Sequence, residues 1–274
     1  MKTKLPYGKV IIAGAGPGDP ELLTLKALKC LQTAEVVIVD RLVSEFILDQ
    51  YVNKSALVLH VGKQYGKEGS TPQAIINDLL VEYAEQGKLV VRLKGGDTSI
   101  FSNVLDELQV LHQHGIPFEI IPGVTAALGA AAYAGIPLTA RNHANAVRFL
   151  TYYQNDLITE SKWQDLADTE DTLVFYMSTE KLDHLVRQME IHHISEEKFF
   201  CIVEQATTPY QRVTTCPIRQ YAKLCEGKSY ISPSLVIIGK VAGLQQQFQW
   251  LPSSEVRKQY FPEIPKRKQK IVRA

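Results

Sequence analysis

Three glycine-bearing segments of this chain each follow a run of β-branched residues and precede a helical pattern. In chain order they are Gly14-Ala15-Gly16-Pro17-Gly18-Asp19-Pro20, Lys94-Gly95-Gly96-Asp97 and Pro122-Gly123-Val124-Thr125-Ala126-Ala127. Glycine allows a backbone to come close to a ligand, and ligands of open α/β sheets bind beyond the carboxyl ends of the strands. The three segments together therefore predict one binding cleft for a small ligand that has a nucleotide-like or amino-acid-like part.

Each segment also has a simpler explanation. The first segment has the spacing G-x-G-x-G, whereas the dinucleotide fingerprint is G-x-G-x-x-G, and Pro17 lacks the amide that a pyrophosphate needs. A tight turn is the alternative there, although Asp40 ends the next strand, where a ribose-binding acid would lie. In the second segment, Asp97 could instead cap a turn with its side chain. In the third, the small residues 126–132 could instead serve close helix packing.

The elements that must position these segments alternate between strands and helices in the first half of the chain. Short β-branched runs predict strands at residues 10–13, 36–39, 57–61, 89–93 and 118–121. Helices are predicted at residues 22–31, 72–86, 100–114 and 124–138, the second of them with Thr71 as N-cap and Pro72 at its first position. This β-α-β order is typical of a mostly parallel sheet with helices on both faces.

The second half of the chain is less regular. We predict strands at residues 149–151, 173–176, 199–203 and 235–238, a short β-prone run at 213–215, and helices at 182–189 and 218–225. A boundary near residues 137–145 divides the chain into an α/β domain at 1–138, a second α/β domain at 139–250 and a tail at 251–274. The tail has seven Lys or Arg against two Glu, and we interpret it as a solvated basic extension.

Composition excludes several functional classes. A hydrophobic fraction of 45% and a formal net charge of +1 are typical of a globular protein with no global field for nucleic acid or a membrane. The four cysteines form no C-x-x-C pair, and no histidine lies at a metal-like spacing from them, so we expect reduced thiols and no metal. Residues 1–9 lack a signal-peptide core. We therefore expect a cytoplasmic protein.

The glycine-bearing segments, with others in the same order, resemble the tetrapyrrole methylase superfamily and within it the uroporphyrinogen-III C-methyltransferase family. The resemblance extends from about residue 8 to about residue 241. Besides the three glycine-bearing segments, it rests on these runs: Glu21-Leu22-Leu23-Thr24-Leu25-Lys26-Ala27, Asp40-Arg41-Leu42-Val43-Ser44, Val61-Gly62-Lys63, Val90-Val91-Arg92-Leu93, Ala134-Gly135-Ile136-Pro137-Leu138-Thr139, Leu173-Val174-Phe175-Tyr176-Met177 and Ser232-Pro233-Ser234-Leu235.

The resemblance implies a fold, a reaction and a set of site residues. The family fold has two α/β domains with the active site in the cleft between them, usually in a homodimer. The family transfers methyl groups from two molecules of S-adenosylmethionine to ring carbons of uroporphyrinogen III, and the products are precorrin-2 and S-adenosylhomocysteine. The resemblance places a proton acceptor at Asp40 and a proton donor at Lys63. It places cofactor contacts at Pro17, Gly95, Gly96, Asp97, Ile100, Thr125, Ala126, Met177 and Ala206, the last of which is a glycine in the family.

The chain departs from the family pattern at several basic positions. Where the family has Pro-Phe-Ile-Phe-Gly-Arg-Gly-Gly-Glu-Glu after Gly-Gly-Asp, residues 98–107 here read Thr-Ser-Ile-Phe-Ser-Asn-Val-Leu-Asp-Glu, so Asn103 replaces an arginine. Gln64 replaces another arginine, while Ala140 and Tyr153 replace histidines. A substrate with eight carboxylates needs cationic partners. Those that remain as candidates are Arg41, Arg92, Lys94, Arg141, Arg148 and Arg212.

Three other functions compete with the leading one. A methylase of a different tetrapyrrole intermediate is the nearest enzymatic alternative. A catalytically weak paralogue that retains the cofactor loops is the alternative from another class. A nicotinamide dehydrogenase is the weakest alternative, because the fingerprint spacing is wrong.

Overall fold

The computed structural model describes residues 8–62, 70–153 and 158–262. These residues divide into two compact units. The first contains the described residues of Met1–Thr125 and Phe261–Ala274, and the second is Ala126–Tyr260. The limits of the three segments expected from the sequence stay a prediction, since compactness alone does not define a folding domain.

The first unit is a five-stranded parallel sheet with the strand order β3-β2-β4-β1-β5. Its strands are β1 (Lys9–Gly14), β2 (Val36–Val39), β3 (Leu57–His60), β4 (Leu89–Lys94) and β5 (Phe118–Ile121). Its helices are α1 (Leu25–Thr33), α2 (Glu45–Tyr51), α3 (Gln73–Glu85) and α4 (Val104–Gln113). The parallel sheet predicted for the first half of the chain is confirmed.

Alternate residues of each central strand pack into two different cores. Ile11 of β1 faces the core that includes Leu31 of α1 and Ile47 of α2. Its neighbour Ile12 faces the core that includes Leu80 of α3. Because successive side chains of a strand point to opposite faces, helices cover both sides of this sheet. The carboxyl ends of its parallel strands lie together at one edge of the sheet.

The second unit contains a mixed five-stranded sheet in the order β6-β7-β10-β8-β9. Its strands are β6 (Val147–Thr151), β7 (Thr172–Tyr176), β8 (Phe199–Glu204), β9 (Arg212–Pro217) and β10 (Ser234–Gly239). The pair β6–β7 is parallel, and the other three pairs are antiparallel. Its helices are α5 (Ala126–Ala134), α6 (Glu160–Asp168), α7 (Leu182–Ile191), α8 (Tyr221–Leu224) and α9 (Gln245–Phe248). The predicted class, two α/β parts, is confirmed.

Several predicted helix limits were wrong for local reasons. The chain forms a 3-10 turn at Pro20–Leu22, and α1 begins only at Leu25, where the Thr24 hydroxyl accepts a hydrogen bond from Ala27 N. Helix α3 has Pro72 rather than Thr71 as its N-cap residue and has no side-chain cap. The helix expected at residues 218–225 is a 3-10 turn followed by the four-residue α8.

The helix expected at residues 100–114 begins four residues later. Phe101 and Asn103 adopt left-handed backbone conformations with φ of 50° and 54°, which an α-helix cannot accommodate. Helix α4 therefore begins at Val104. The segment after Asp97 is an irregular loop, so Ile100 lies in a loop rather than on a helix.

The segment after α9 runs along the second unit through residue 260. Gln211 O accepts a hydrogen bond from Ser254 N, and Gln205 binds the backbone of Lys258 and Tyr260 through its side-chain amide. The expectation of a solvated extension is therefore wrong for this part, and residues 263–274 lie outside the described residues. Among the described residues, no helix combines the length and the apolar character needed to cross a membrane.

Three glycines bring the carboxyl ends of β1, β4 and β5 into backbone contact. A Cβ added to Gly123 would lie 2.3 Å from Gly96 O and 2.9 Å from the carbonyl carbon of Gly14. A Cβ added to Gly14 would lie 2.6 Å from Gly96 O. Real Cβ atoms do not approach a carbonyl oxygen so closely, so any larger residue would push these loops apart.

We expect Gly123→Ala to lower the free energy of unfolding by about 1–3 kcal/mol, because backbone atoms cannot move aside as a flexible side chain can. Urea unfolding followed by circular dichroism measures this change. The control is Gly115→Asn, at a left-handed position where an added Cβ meets nothing within 4 Å. Asparagine tolerates that conformation, so Gly115→Asn should lower the free energy of unfolding by less than about 1 kcal/mol. Equal losses would contradict the steric explanation.

Candidate active site

Two of the glycine-bearing loops pair with each other at the carboxyl end of the first sheet. Gly16 and Gly96 form an antiparallel bridge, in which Gly16 N donates to Gly96 O at 3.1 Å and Gly96 N donates to Gly16 O at 2.8 Å. Pro17 follows directly and is buried. The bridge fixes the loop that contains Pro17 against the loop that contains Gly95, Gly96 and Asp97.

Asp97 joins the third loop to the other two. Its carboxylate accepts hydrogen bonds from Ser99 N at 2.8 Å and from Gly123 N at 2.9 Å. Burial opposes the charge of this carboxylate, but the hydrogen bonds from Ser99 and Gly123 outweigh it, so the pKa of Asp97 is lowered from its usual value. Asp97 thus fixes loop geometry, and a ligand here would be contacted by backbone groups of these loops.

A fourth loop, after β2, lies against Gly95. A Cβ added to Gly95 would lie 2.8 Å from Leu42 O, so this loop and the Gly95 loop are in van der Waals contact. The loop begins at Asp40, whose carboxylate Oδ1 accepts a hydrogen bond from Arg92 Nη2 at 2.5 Å. The ion-pair partner of Asp40 is therefore Arg92, which is distant in sequence.

Behind Asp40 lies a buried group of charged side chains. Arg92 Nε donates to Glu107 Oε1 at 2.9 Å, and Lys94 Nζ donates to both Glu107 oxygens at 3.0 Å. Burial and the nearby Arg92 lower the pKa of Lys94. Burial also opposes the charge of Arg92, yet Asp40 and Glu107 outweigh this effect and raise the pKa of its guanidinium. Arg92 therefore stays charged.

In the second unit, a hydrogen bond links the start of α5 to the end of β7. Tyr176 OH accepts a hydrogen bond from Ala127 N at 3.0 Å, which satisfies one of the free amides of the first helical turn. Ala126 precedes the donor in the chain, and Met177 follows Tyr176. Met177 has a left-handed φ of 56° and is 42% exposed. Strained backbone of this kind occurs often at functional sites.

Ala206 lies in a tight turn after β8. Its neighbours Gln205 and Thr207 have positive φ values of 47° and 63°, whereas Ala206 itself does not. The position that is a glycine in the family thus needs no glycine here. The turn is held by Gln211, whose side-chain oxygen accepts a hydrogen bond from Thr207 N at 2.7 Å.

The structure places the expected residues in two groups. The first unit contains Pro17, Asp40, Gly95, Gly96, Asp97, Ile100 and Thr125, and the second contains Ala126, Met177 and Ala206. Lys63, the expected proton donor, lies outside the described residues. The roles of all these residues stay predictions.

Sequence reasoning missed the buried Glu107 and the two side chains Tyr176 and Gln205. The signal for Glu107 was present, because Arg92 and Lys94 alternate with apolar residues in a strand expected to be buried on both faces. Buried cations need a buried anion. No comparable signal exists for Tyr176 or Gln205, whose partners are distant backbone groups.

Most candidate substrate cations have partners within the protein. Arg92 and Lys94 bind Glu107, and Arg148 binds Asp165 and Asp171. Arg212 donates to Ser254 O at 3.1 Å, and Arg41 donates to Pro262 O at 3.4 Å. Arg141 has an exposed side chain at the turn that precedes β6, which makes it the strongest remaining candidate.

The fold and these loops define a methylase architecture, and the comparison with known proteins agrees. Residues 9–222 match the family model of the Tetrapyrrole (Corrin/Porphyrin) Methylases. The chain belongs to this family, so the resemblance stated from the sequence is confirmed.

Individual relatives fall into two groups. The chain is 47% identical to siroheme synthase 2 of Aeromonas hydrophila, in an alignment that covers 91% of this chain. It is 46% identical to siroheme synthase of Pseudomonas aeruginosa, in an alignment that covers 89% of this chain. It spans about half the length of these curated relatives, 52% in both cases. Among solved structures, uroporphyrin-III-C-methyltransferase of Thermus thermophilus is 34% identical with a TM-score of 0.73, over 90% of this chain and 98% of that one.

We expect Asp97→Asn to lower the free energy of unfolding by about 1.5–3 kcal/mol at neutral pH, since charge-assisted hydrogen bonds are lost. The pKa of Asp97 is lowered in the folded protein. Its stabilising effect is therefore present above the ordinary aspartate pKa of about 3.9 and disappears as the pH falls through the lower folded value. Urea unfolding at several pH values should show the difference between variant and wild type narrowing below about pH 4.

The control for this experiment is Asp78→Asn, on the exposed face of α3. It should change stability little at any pH. A difference for Asp97→Asn that stays constant through acidic pH would mean that the loss is steric rather than electrostatic.

Proposed function

We propose that this chain transfers methyl groups from S-adenosylmethionine to ring carbons of uroporphyrinogen III and so forms precorrin-2, a precursor in sirohaem and cobalamin biosynthesis. The observation that carries the proposal is the similarity over 98% of the length of a Thermus uroporphyrin-III-C-methyltransferase. A second structure of the Thermus enzyme is a complex with S-adenyl homocysteine. It is 32% identical to this chain, with a TM-score of 0.71, and the match covers 86% of this chain.

The proposed cofactor contacts lie at Pro17, Gly95, Gly96, Asp97, Ile100 and Thr125 of the first unit and at Ala126, Met177 and Ala206 of the second. The local structure fits such a ligand. Backbone groups of residues 95–97 lie at the carboxyl edge of a parallel sheet, where adenosine-containing ligands bind in related architectures. Next to Met177, Ser178 Oγ is buried and has no hydrogen-bond partner among the described residues. A ligand can supply one.

The work of this chain is positioning and proton transfer. When bound, S-adenosylmethionine supplies a methyl group that is already activated by the sulfonium charge. The loops align the reacting carbon with that methyl group, which lowers the entropic part of the barrier. Methyl transfer adds one positive charge to the macrocycle, and loss of one ring proton removes that charge again. Asp40 accepts this proton, and Lys63 donates one where the reaction requires it.

We also propose that the protein is a homodimer and lies in the cytoplasm. The first proposal rests on the family resemblance. The second is supported by the four cysteines, which are all free thiols, as expected in a reducing compartment. Light scattering on the purified protein measures its molar mass in solution, and we expect the mass of a dimer. The mass of a monomer at all protein concentrations would contradict this proposal.

A different tetrapyrrole is the second candidate substrate. The specific observation in its favour is the loop after Asp97, where Asn103 replaces the arginine of the family pattern and adopts a left-handed conformation. The chain is also similar to a cobalt precorrin-4 methyltransferase, with 26% identity and a TM-score of 0.74. An altered loop at this edge would change which carboxylates are recognised.

The direct test is anaerobic incubation with enzymatically generated uroporphyrinogen III and methyl-labelled S-adenosylmethionine, followed by mass spectrometry over time. We expect a gain of two methyl groups. A gain on another porphyrinoid alone would support the second candidate. Intact cofactor binding without methylation of any tetrapyrrole would indicate the catalytically weak paralogue and contradict the proposal.

We expect Arg141→Ala to raise the KM for uroporphyrinogen III by about 10-fold, because one charge-assisted contact to a carboxylate is lost. Calorimetric binding of S-adenosylhomocysteine should not change. Arg141→Lys, which keeps the charge but not the two-pronged geometry, should lie between wild type and Arg141→Ala. An unchanged KM for Arg141→Ala would remove this residue from the substrate site.

A further inference from the structure

Asp40 is part of a chain of contacts that extends from the surface into the core of the first unit. Its side chain is 27% exposed and its partner Arg92 is 2% exposed, while Glu107, the next side chain inward, is fully buried. The order is thus an accessible carboxylate, a buried guanidinium and a buried carboxylate.

We propose that Arg92 is a positioning residue for methyl transfer. It holds the Asp40 carboxylate in one orientation, and Glu107 orients Arg92 in turn. This inference rests on the proposed function, in which Asp40 accepts a ring proton.

The hydrogen-bond geometry of Arg92 restricts its guanidinium to one position. Nε donates to Glu107 Oε1 at 2.9 Å, and Nη1 donates to Ile38 O at 3.2 Å and to Leu93 O at 3.3 Å. The remaining terminal nitrogen, Nη2, donates to Asp40 Oδ1. A planar guanidinium held at three other points cannot rotate away, so it fixes the position of Asp40 Oδ1 and leaves Oδ2 to accept a proton.

Charge balance gives Glu107 its part in this arrangement. Arg92 and Lys94 are two buried cations, and Glu107 and Asp40 are two carboxylates, so the group is neutral. Lys94 binds both Glu107 oxygens, which compensates the buried anion and leaves the Nη2 edge of Arg92 directed at Asp40.

A purely structural role for Arg92 predicts a different pattern of kinetic effects. If Arg92 only stabilises the sheet, its replacement lowers activity by the same factor whether or not position 40 has a carboxylate. If it acts through Asp40, the effect disappears when Asp40 is replaced. A double-mutant cycle separates the two possibilities.

The test measures kcat and KM for methyl transfer to uroporphyrinogen III in wild type, Arg92→Gln, Asp40→Asn and the double variant. We expect Arg92→Gln to lower kcat about 10-fold or more, with a small change in KM, because the contact serves the reaction step. In the Asp40→Asn background the same change should alter kcat less than about 2-fold. Equal factors in the two backgrounds would overturn the proposal.

The conservative variant provides a second readout that a structural role would not shift. Arg92→Lys retains a positive charge but not the planar fork of the guanidinium, so its kcat should lie between those of wild type and Arg92→Gln. In the Asp40→Asn background, Arg92→Lys should change kcat little. An effect of Arg92→Lys on kcat that is equal in the two backgrounds would contradict the proposal.

Controls separate folding and the proposed function from this inference. Arg187→Gln removes an arginine that pairs with Glu226 on the surface of the second unit, and it should leave the kinetics unchanged. Should Arg92→Gln not fold, Arg92→Lys with its own double-mutant cycle retains the test. A wild type that forms no methylated product would overturn the proposed function itself, whereas an active wild type with equal factors would overturn the role of Arg92 alone.

Discussion

The structure of the first unit depends on the close approach of three backbone loops at the carboxyl ends of β1, β4 and β5. Gly14 and Gly123 allow this approach because neither has a Cβ that would collide with the carbonyl oxygen of Gly96. Asp97 then joins two of the loops through its carboxylate. Loops fixed in this way present the same backbone groups to every ligand that arrives, so little conformational entropy is lost on binding. A site that must align two reacting molecules benefits directly from this rigidity.

The polar core behind the loops follows from the same arrangement. Strand β4 is central in the sheet, and both its faces are covered by helices, yet it contains Arg92 and Lys94. Such buried charges are tolerated only when they are paired and hydrogen-bonded, and Glu107 of α4 supplies the pairing. A network of this kind is weak evidence for stability but connects the core to the accessible Asp40. In the second unit, the end of β7 is held by an uncharged contact, the hydrogen bond from Ala127 N to Tyr176 OH.

Much of this structure follows from the sequence, and what does not follow has identifiable causes. Strand positions in the parallel sheet were predicted because doubly covered strands are continuous apolar runs. The convergence of the glycine loops was predicted because parallel strands share one carboxyl edge. The start of α4 was missed because Phe101 and Asn103 adopt left-handed conformations that no local pattern indicates. The partner of Asp40 was missed because Arg92 is distant in sequence, and the register of two strands decides which side chains meet.

We propose that the loop at residues 95–97, held against Gly16 and Gly123, is the cofactor-binding surface of the first unit. A crystal structure of the protein grown with S-adenosylhomocysteine would test this proposal. We expect electron density for the ligand against the backbone of residues 95–97 and Thr125, with Asp40 free of direct contact with its ribose. Ribose hydroxyls bound by Asp40, with no ligand density against residues 95–97, would contradict the proposal and indicate a dinucleotide-type site instead.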